Sequence, residues 1–392
     1  MLTFTDFIFD LREWIESHSQ QGLQSGSIPA SKCPENFNAL ALRLFVLQFA
    51  SNPAYRRFCE ARGKSPESIS YWWEIPAIPA CAFKELELTS IPEGARTAVF
   101  HSSGTTEQRP SRHFHNEESL GVYEASILHW FRAHFLGEFN EKLTMLFLTP
   151  PPTLAPRSSL VHMFGAVRRA FGAPESSFAG RLDETGGWVL DLEQICRALE
   201  VFAQSRRAVA VLGTAFNYVH LFEHLARSGR RFDLPAGSGA LETGGYKGRS
   251  RSLGKQELHA LLTEYLGIPA EQILCEYGMS ELGSQAYDVL VRCPNSPVQK
   301  FAETKAFDRV FRFPPWARTQ IISPESGHEV AEGETGLIRV FDLANVFSVM
   351  ALQTEDLAIR RQSGFELLSR ARLAEARGCS LMVSSSADHG TR

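Results

Sequence analysis

Ala208-Val209-Ala210-Val211-Leu212-Gly213-Thr214, followed by residues 216–226 and a stop at Gly229, decides the fold. A continuous apolar run of this length reads as a buried strand, and the segment after it reads as a helix closed by glycine. The same alternation extends upstream. Residues 142–149 read as a buried strand running into Pro150-Pro151-Pro152. A helix then opens at Ser158-Ser159, bounded by Pro156 and Gly172. Residues 191–204 read as another helix, with Leu192, Ile195, Leu199 and Phe202 turned inward. Downstream, Ala240-Leu241-Glu242-Thr243 reads as a short strand entering Gly244-Gly245. Ser252 starts a helix to about Gly267, and residues 272–278 form a strand that ends at Gly278-Met279-Ser280-Glu281. Strands alternating with helices predict an α/β fold in which helices cover a largely buried sheet.

Outward from that core the chain changes character. Residues 3–19 read as an amphipathic helix, with Phe4, Phe7, Ile8, Leu11, Trp14 and Ile15 on one face and Thr3 and Asp6 as a capping start. Residues 37–50 predict a second helix, and Asn52-Pro53 begins a third that stops near Gly63. Tyr71-Trp72-Trp73 and the repeated Ile-Pro-Ala at 75–77 and 78–80 impose an extended path, because Pro disfavours helix at itself and at its predecessor. Asn116 caps a long helix carrying Leu120, Tyr123, Ile127, Leu128 and Phe131. Near the other end, Thr319-Gln320-Ile321-Ile322 and Leu337-Ile338-Arg339-Val340-Phe341 read as antiparallel strands, and residues 347–352 as another.

Composition bounds the function. The 392 residues suffice for a large domain plus a smaller one. Apolar and charged shares of 44% and 21% are those of a globular chain. A net charge of −4 leaves no basic footprint for nucleic acid. No apolar run approaches the roughly 18 residues of a membrane span, and Asp6 rather than Lys or Arg among the first residues argues against a signal peptide. Seven cysteines, an odd number with no C-x-x-C, fit reduced thiols, so the expected location is cytoplasmic.

Four stretches carry candidate chemistry. His101-Ser102-Ser103-Gly104-Thr105-Thr106 lies between Ala98-Val99-Phe100 and Arg112-His113-Phe114-His115, two short strands, with Arg109 close behind. Hydroxyls, a bendable glycine and guanidinium groups can cradle phosphate oxygens; a solvated hairpin turn fits the stretch equally well. It is not a Walker loop, since the terminal Gly-Lys-Ser/Thr is missing. Thr243-Gly244-Gly245 would admit a flat ligand close to the backbone, or is an ordinary turn. Glu281 stands just past a buried strand, where α/β proteins bind ligands. Asp356, in Thr354-Glu355-Asp356, can accept hydrogen bonds from ribose hydroxyls. His162 reads as packed or solvated rather than catalytic.

Taken in order, Ser-Ser-Gly-Thr-Thr (102–106), Thr-Gly-Gly (243–245), Tyr-Gly-Met-Ser-Glu (277–281), Gly-Glu-Thr-Gly-Leu-Ile (333–338), Thr-Glu-Asp (354–356) and Gly-Phe-Glu-Leu-Leu-Ser-Arg (364–370) resemble the core motifs of the adenylate-forming enzymes. The chain most resembles their acyl-protein synthetase branch, which shares the Thr-Gly-Gly-Tyr-Lys-Gly stretch and the ending Ala-Glu-Ala-Arg-Gly-Cys-Ser-Leu (374–381). The resemblance implies an α/β fold: a large adenylate-forming domain of mixed sheets flanked by helices, with a small antiparallel part. The resemblance runs from about residue 75 to 382; with the helices read above it gives a helical segment at 1–70, the main domain at 71–360 and a truncated or vestigial C-terminal segment at 361–392.

The resemblance also implies roles. Ser102, Ser103, Gly104, Thr105 and Thr106 would hold the phosphates of ATP. Thr243, Gly244 and Gly245 would border the adenine, with Tyr277 and Gly278 beside the base. Glu281 would bind Mg²⁺, and Asp356 and Arg370 would hold the ribose side. Glu107 and Pro110 replace the usual Gly and Lys of the phosphate loop, so Arg109 or Arg112 would substitute. Cys379 matches the branch's acyl-accepting cysteine, and Arg370, Arg372 and Arg377 would favour its thiolate. The implied activity is ATP-dependent activation of a carboxylic acid, a fatty acid in this branch, and transfer to Cys379 and then a partner protein. Trp72, Trp73, Phe83, Phe164, Phe216 and Tyr218 could furnish an apolar cleft for the acyl chain. Two other readings stay open: an aryl- or acyl-CoA ligase, and a non-catalytic nucleotide-binding subunit.

Overall fold

The computed structural model describes residues 2–19, 34–102, 109–137, 142–184, 186–244, 254–291 and 308–370. Helices α1 (Phe4–Ser19), α2 (Pro34–Ser51) and α3 (Pro53–Glu60) come first. Thr3 Oγ1 accepts from the Asp6 amide at 3.1 Å and starts α1; Asn52 Oδ1 accepts from the Tyr55 amide at 3.1 Å and starts α3. A short strand β1 (Ile78–Pro79) and helix α4 (Ala82–Glu85) lead into the hairpin of β2 (Ala98–His101) and β3 (Arg112–His115). Then come α5 (Glu117–Phe131), β4 (Thr144–Phe147), α6 (Ser159–Phe171) and β5 (Ser177–Phe178). A hairpin of β6 (Gly180–Leu182) and β7 (Trp188–Leu190) precedes α7 (Leu192–Gln204), β8 (Val209–Thr214) and α8 (Ala215–Ser228). β9 (Gly239–Thr243), α9 (Lys255–Leu266), β10 (Ile273–Tyr277) and β11 (Ala286–Val291) follow. The last strands are β12 (Asp308–Arg312), β13 (Ala317–Ile322), β14 (Thr335–Asp342), β15 (Ala351–Arg361) and β16 (Gly364–Arg370).

Among the described residues the main sheet runs β13-β14-β15-β16-β12-β11-β10-β9-β8-β4-β5, with β1 paired on β15. From β10 to β5 the strands are parallel. From β10 outward to β13 they are antiparallel. The fold is therefore mixed α/β, as the alternation predicts. β8, the fold-deciding strand, is buried along its whole length. Strand side chains alternate between faces, and two cores result. Phe147, Leu212 and Leu241 pack with Tyr123, Ile127 and Phe164 of α5 and α6. Leu146, Val211 and Ala240 pack on the other face, with Ile195, Tyr218 and Leu258 of α7, α8 and α9.

The N-terminal helices are locked onto the main body by a polar contact. Gln48 is fully buried. Its Nε2 donates to the carbonyls of Asn345 at 2.7 Å and Val346 at 3.0 Å, and its Oε1 accepts from the Met350 amide at 3.0 Å. Gln48→Leu keeps most of the volume and orphans all three backbone groups. It is expected to cost about 3 kcal/mol, read as a lower urea midpoint at unchanged slope; an unmoved midpoint would mean that other donors and acceptors replace the amide.

Three expectations change. The strand expected at 347–352 begins instead at Ala351, because the Asp342 amide bonds to the Met350 carbonyl and folds 343–350 into a connection. β11 and β12 were not anticipated from the sequence. The aromatic residues proposed for one acyl cleft do not share a wall. Phe83 of α4 and Phe164 of α6 are packed in the larger core, while Tyr218 lies in the core on the opposite face. Phe216 packs on a separate small cluster with Val161 and Trp188. Trp72 packs edge-on against Phe37 and Phe341, and Trp73 is half exposed, stacked on Tyr71 at 4.5 Å.

Candidate active site

The site is built at the carboxyl ends of β9 and β10, where parallel strands leave a ligand-accepting edge. Parallel register sets Thr243 beside Glu276, and the Thr243 hydroxyl donates to the Glu276 carboxylate. Gly244 follows with φ of +95°, a conformation that side chains other than glycine's rarely adopt. Glu276 is buried, and burial pushes its carboxyl up to about 7, against the lowering pull of the Thr243 hydrogen bond; the charge of Glu242 adds to the rise. Past β10, Gly278 leaves room for this carboxylate: a Cβ there would overlap Glu276 Oε1 and lie 3.3 Å from Gln285 Cγ.

Tyr277 and Asp356 meet although 79 residues separate them. The Tyr277 hydroxyl donates to Asp356 Oδ2 at 2.9 Å, with both residues buried. The ring is boxed edge-on by Phe311, Phe313 and Phe365, which fixes its plane. Asp356 stands opposite Arg370 in the β15–β16 register.

Glu281 lies in the turn beyond Gly278, 4% exposed, and its carboxylate accepts from Ser280 Oγ at 2.9 Å. Two long-range contacts hold that turn. Asn345 Nδ2 donates to the Glu281 carbonyl at 2.9 Å. His113 Nδ1 lies 2.9 Å from the Ser280 carbonyl, and because a carbonyl only accepts, that nitrogen carries the proton. Burial pushes the His113 imidazole down to about 4, so it stays neutral near pH 7. A third clamp is Asp342, fully buried, which accepts from the Gly283 amide at 2.9 Å, Ser284 Oγ at 2.7 Å and the Ala344 amide at 3.0 Å. Burial pushes its carboxyl up to about 6 despite these donors.

His113 sits on β3, so its bond to Ser280 brings the β2–β3 hairpin against the Glu281 turn. At the mouth of that hairpin, Ser102 Oγ accepts from the Ser111 amide at 2.9 Å, and the Ser102 amide reaches the Ser111 carbonyl at 3.3 Å. Ser103, Gly104, Thr105 and Thr106 lie outside the described residues, as do Gly245 and Cys379. Arg112 is tied to Glu87 at 3.2 Å, and Glu87 also holds Arg96 at 3.0 Å. Arg109 is exposed, 3.8 Å from Glu85. Sequence reasoning named Tyr277, Glu281, Asp356 and Thr243 as candidates, and the structure brings Tyr277 and Asp356 into contact. The same reasoning assigned nothing to Glu276, His113, Asp342 or Gln285. For Glu276 and Asp342, a carboxylate between apolar neighbours (Cys275 and Tyr277, Phe341 and Leu343) was the signal available; His113 and Gln285, beside Arg112 and Ser284, gave none.

The donor set suits a magnesium nucleotide. Mg²⁺ is typically held by one or two carboxylates together with phosphate oxygens. Glu281 supplies one buried carboxylate, and among the described residues no group of three or more His, Cys, Asp or Glu could hold a metal alone.

Comparisons with known proteins bear on the family and the fold. The family model described as acyl-protein synthetase, LuxE, matches residues 31–387. The chain is 22% identical over 350 residues to a long-chain-fatty-acid–luciferin-component ligase of Vibrio harveyi, covering 87% of this chain and 85% of that one. Among solved structures it resembles a 2-hydroxyisobutyryl-CoA ligase in complex with 2-HIB-AMP and CoA, with a TM-score of 0.61 at 13% identity over 88% of this chain and 69% of that one. An open conformation of the same ligase gives 0.57 at 11% identity, over 88% and 74% of the two chains. At such identities these structures speak for a common fold. The chain belongs to the LuxE family of acyl-protein synthetases and has the fold of an adenylate-forming ligase.

Proposed function

We propose that this protein activates a carboxylic acid with ATP and passes the acyl group to a thiol, first Cys379 and then an acceptor on a partner protein. The observation that supports it best is the hydrogen bond between Tyr277 and Asp356, set beside the buried carboxylate of Glu281 at the ends of β9 and β10. One carboxylate suits a sugar, the other a metal-bound phosphate, and Gly244 at the end of β9 lets a flat base approach the backbone. The name of the Vibrio harveyi relative favours a long-chain fatty acid among possible substrates.

In the first step a carboxylate oxygen of the acid attacks the α-phosphorus of ATP. A P–O bond to the acid forms, the bond to the β-phosphate bridge breaks, and pyrophosphate leaves. Asp356 and Tyr277 orient the nucleotide, and the turn clamped by His113 and Asn345 holds Glu281 in place, so the residues contribute chiefly alignment. Mg²⁺ at Glu281 would supply neutralisation of phosphate charge. In the second step the Cys379 thiolate attacks the acyl carbonyl, a thioester forms and AMP leaves with the bonding electrons.

Intact-protein mass after incubation with Mg-ATP and a panel of acids tests this. The expected result is a shift of one acyl group, lost on hydroxylamine treatment and absent in Cys379→Ala. AMP formation without a mass shift would remove Cys379 from the reading; neither AMP nor a shift would remove the enzyme.

A further inference from the structure

The connection from β14 to β15, residues 343–350, is gripped from two sides. From one side come N-terminal residues. Gln48 of α2, with no exposed surface, bonds to the carbonyls of Asn345 and Val346 at 2.7 and 3.0 Å and to the Met350 amide at 3.0 Å. Ser348 Oγ donates to the Leu88 carbonyl at 2.8 Å, and the Ser90 amide donates to the Phe347 carbonyl at 2.6 Å. The ring of Phe4 in α1 lies 4.6 Å from that of Phe347.

The other side of the connection faces the turn that carries Glu281. Asn345 Nδ2 donates to the Glu281 carbonyl at 2.9 Å and to the Val349 carbonyl at 3.1 Å. The two segments lie so close that a Cβ on Gly283 would come within 2.8 Å of the Ala344 carbonyl carbon. Asn345 thus meets Gln48 with its backbone and Glu281 with its side chain. A buried carbonyl needs a partner, so the Gln48 amide fixes the Asn345 backbone, and that backbone fixes where Nδ2 points. Both links of the path from Gln48 to Glu281, 2.7 and 2.9 Å, join residues at most 4% exposed. A contiguous buried path of this kind can carry a displacement from one end to the other.

We propose that Gln48 is a positioning residue for Glu281, acting through Asn345, so that the N-terminal helices set the geometry of the turn on the metal side of the site. What that turn does rests on the acid-activating reading given above; the mechanical link does not. Gln48 touches neither substrate nor metal. Its amide keeps the 343–350 connection closed between Asp342 and Ala351, and the closed connection holds the Glu281 main chain. Without the amide the turn keeps its Asp342 and His113 anchors, so it loosens rather than unfolds.

The test is amide hydrogen exchange of the nucleotide-free full chain, followed by magnesium dependence. Gln48→Leu cuts the outer link, and Asn345→Ala cuts the inner one while leaving the backbone that Gln48 holds. Each is expected to speed exchange at Leu282 and Gly283 about 10-fold, with β8 unchanged. The double variant should exchange no faster than the faster single variant, because both break one path. Tyr55→Phe is the control: it removes a buried bond to the Pro76 carbonyl within the same N-terminal segment and should leave the turn as it is. In acid-dependent ATP–pyrophosphate exchange, Gln48→Leu should raise the apparent magnesium requirement about 10-fold and leave the KM for the acid unmoved. Unchanged exchange at the turn in Gln48→Leu would overturn the proposal, and so would effects that multiply in the double variant. Equal loosening by Tyr55→Phe would overturn it too, by reducing Gln48 to general stability. A loosened turn with an unmoved magnesium requirement would separate Gln48 from the task of Glu281 and overturn the positioning role. A native protein that performs no acid-dependent exchange would overturn the acid-activating reading, while hydrogen exchange still decides the link from Gln48 to the turn.

Discussion

Replacement of Glu281 by Gln is expected to lower acid-dependent pyrophosphate release about 10³-fold while the protein stays folded. The amide preserves the volume and one acceptor for Ser280 Oγ, which lies 2.9 Å from the carboxylate. The turn keeps its other anchors, the Asn345 and His113 contacts to main-chain carbonyls. What disappears is the negative charge, at a residue only 4% exposed, where a charge acts through a medium less screening than water. A metal held there would be worth several kcal/mol in the transition state, the scale of a thousandfold change. The measurement is exchange rate across a magnesium series, with the apparent magnesium requirement rising in the variant. A loss smaller than about tenfold would take Glu281 out of the metal-binding role.

Asp342→Ala is expected to cost on the order of 5 kcal/mol near pH 4, a large share of an ordinary fold's stability. The carboxyl meets the Gly283 amide, Ser284 Oγ and the Ala344 amide, and alanine leaves all three unpartnered in a buried place. The cost depends on pH, and its sign follows from burial. An unfolded Asp titrates near 3.9; in the folded chain burial raises it to about 6. The folded state therefore holds this proton more tightly. The contribution of Asp342 is fully present below about pH 4 and is lost as pH rises through 6, by about 3 kcal/mol over the two units. The difference between native protein and variant should thus narrow to about 2 kcal/mol at pH 7. Urea unfolding of both at pH 4, 5.5 and 7 reads this directly, since every other titrating group is common to the two. Parallel pH curves would show that Asp342 does not change protonation on folding. Because Asp342 holds the segment after Glu281, the variant should also lose pyrophosphate release in proportion to the loosening of that turn.

The parallel half of the sheet was legible because its information is local. Apolar runs at 144–147 and 209–214, with helices at 159–171 and 215–228 between and after them, declare their state within a dozen residues. Caps at Thr3, Asn52 and Asn116 declare helix starts in the same way. β11 and β12 were not legible. Asp288 of β11 points into the protein, where the Lys255 and Arg309 ion pairs, at 2.6 and 2.9 Å, and the Cys275 amide, which donates to Oδ1 at 2.6 Å, make it a tolerable interior residue. β12 carries Asp308, Arg309 and Arg312 among its five residues. Charged positions of this kind blur the alternation on which a strand is recognised.

The sequence by itself determined the class of fold, the order of the motifs and the chemical type of each candidate ligand: hydroxyls, glycines and carboxylates in a nucleotide-binding succession. Only the tertiary structure decided which side chains meet. Tyr277 reaches Asp356 across 79 residues and His113 reaches Ser280 across 167. The first meeting depends on β10, β11, β12, β16 and β15 lying in that order, which the chain does not follow in sequence, and the second on the separate β2–β3 hairpin packing against the turn after β10. Periodicity reports which face of an element is buried. The partner that a buried carboxylate, imidazole or phenol finds is set by sheet order and register, because a hydrogen bond tolerates an error of a few tenths of an ångström and hydrophobic burial does not demand that.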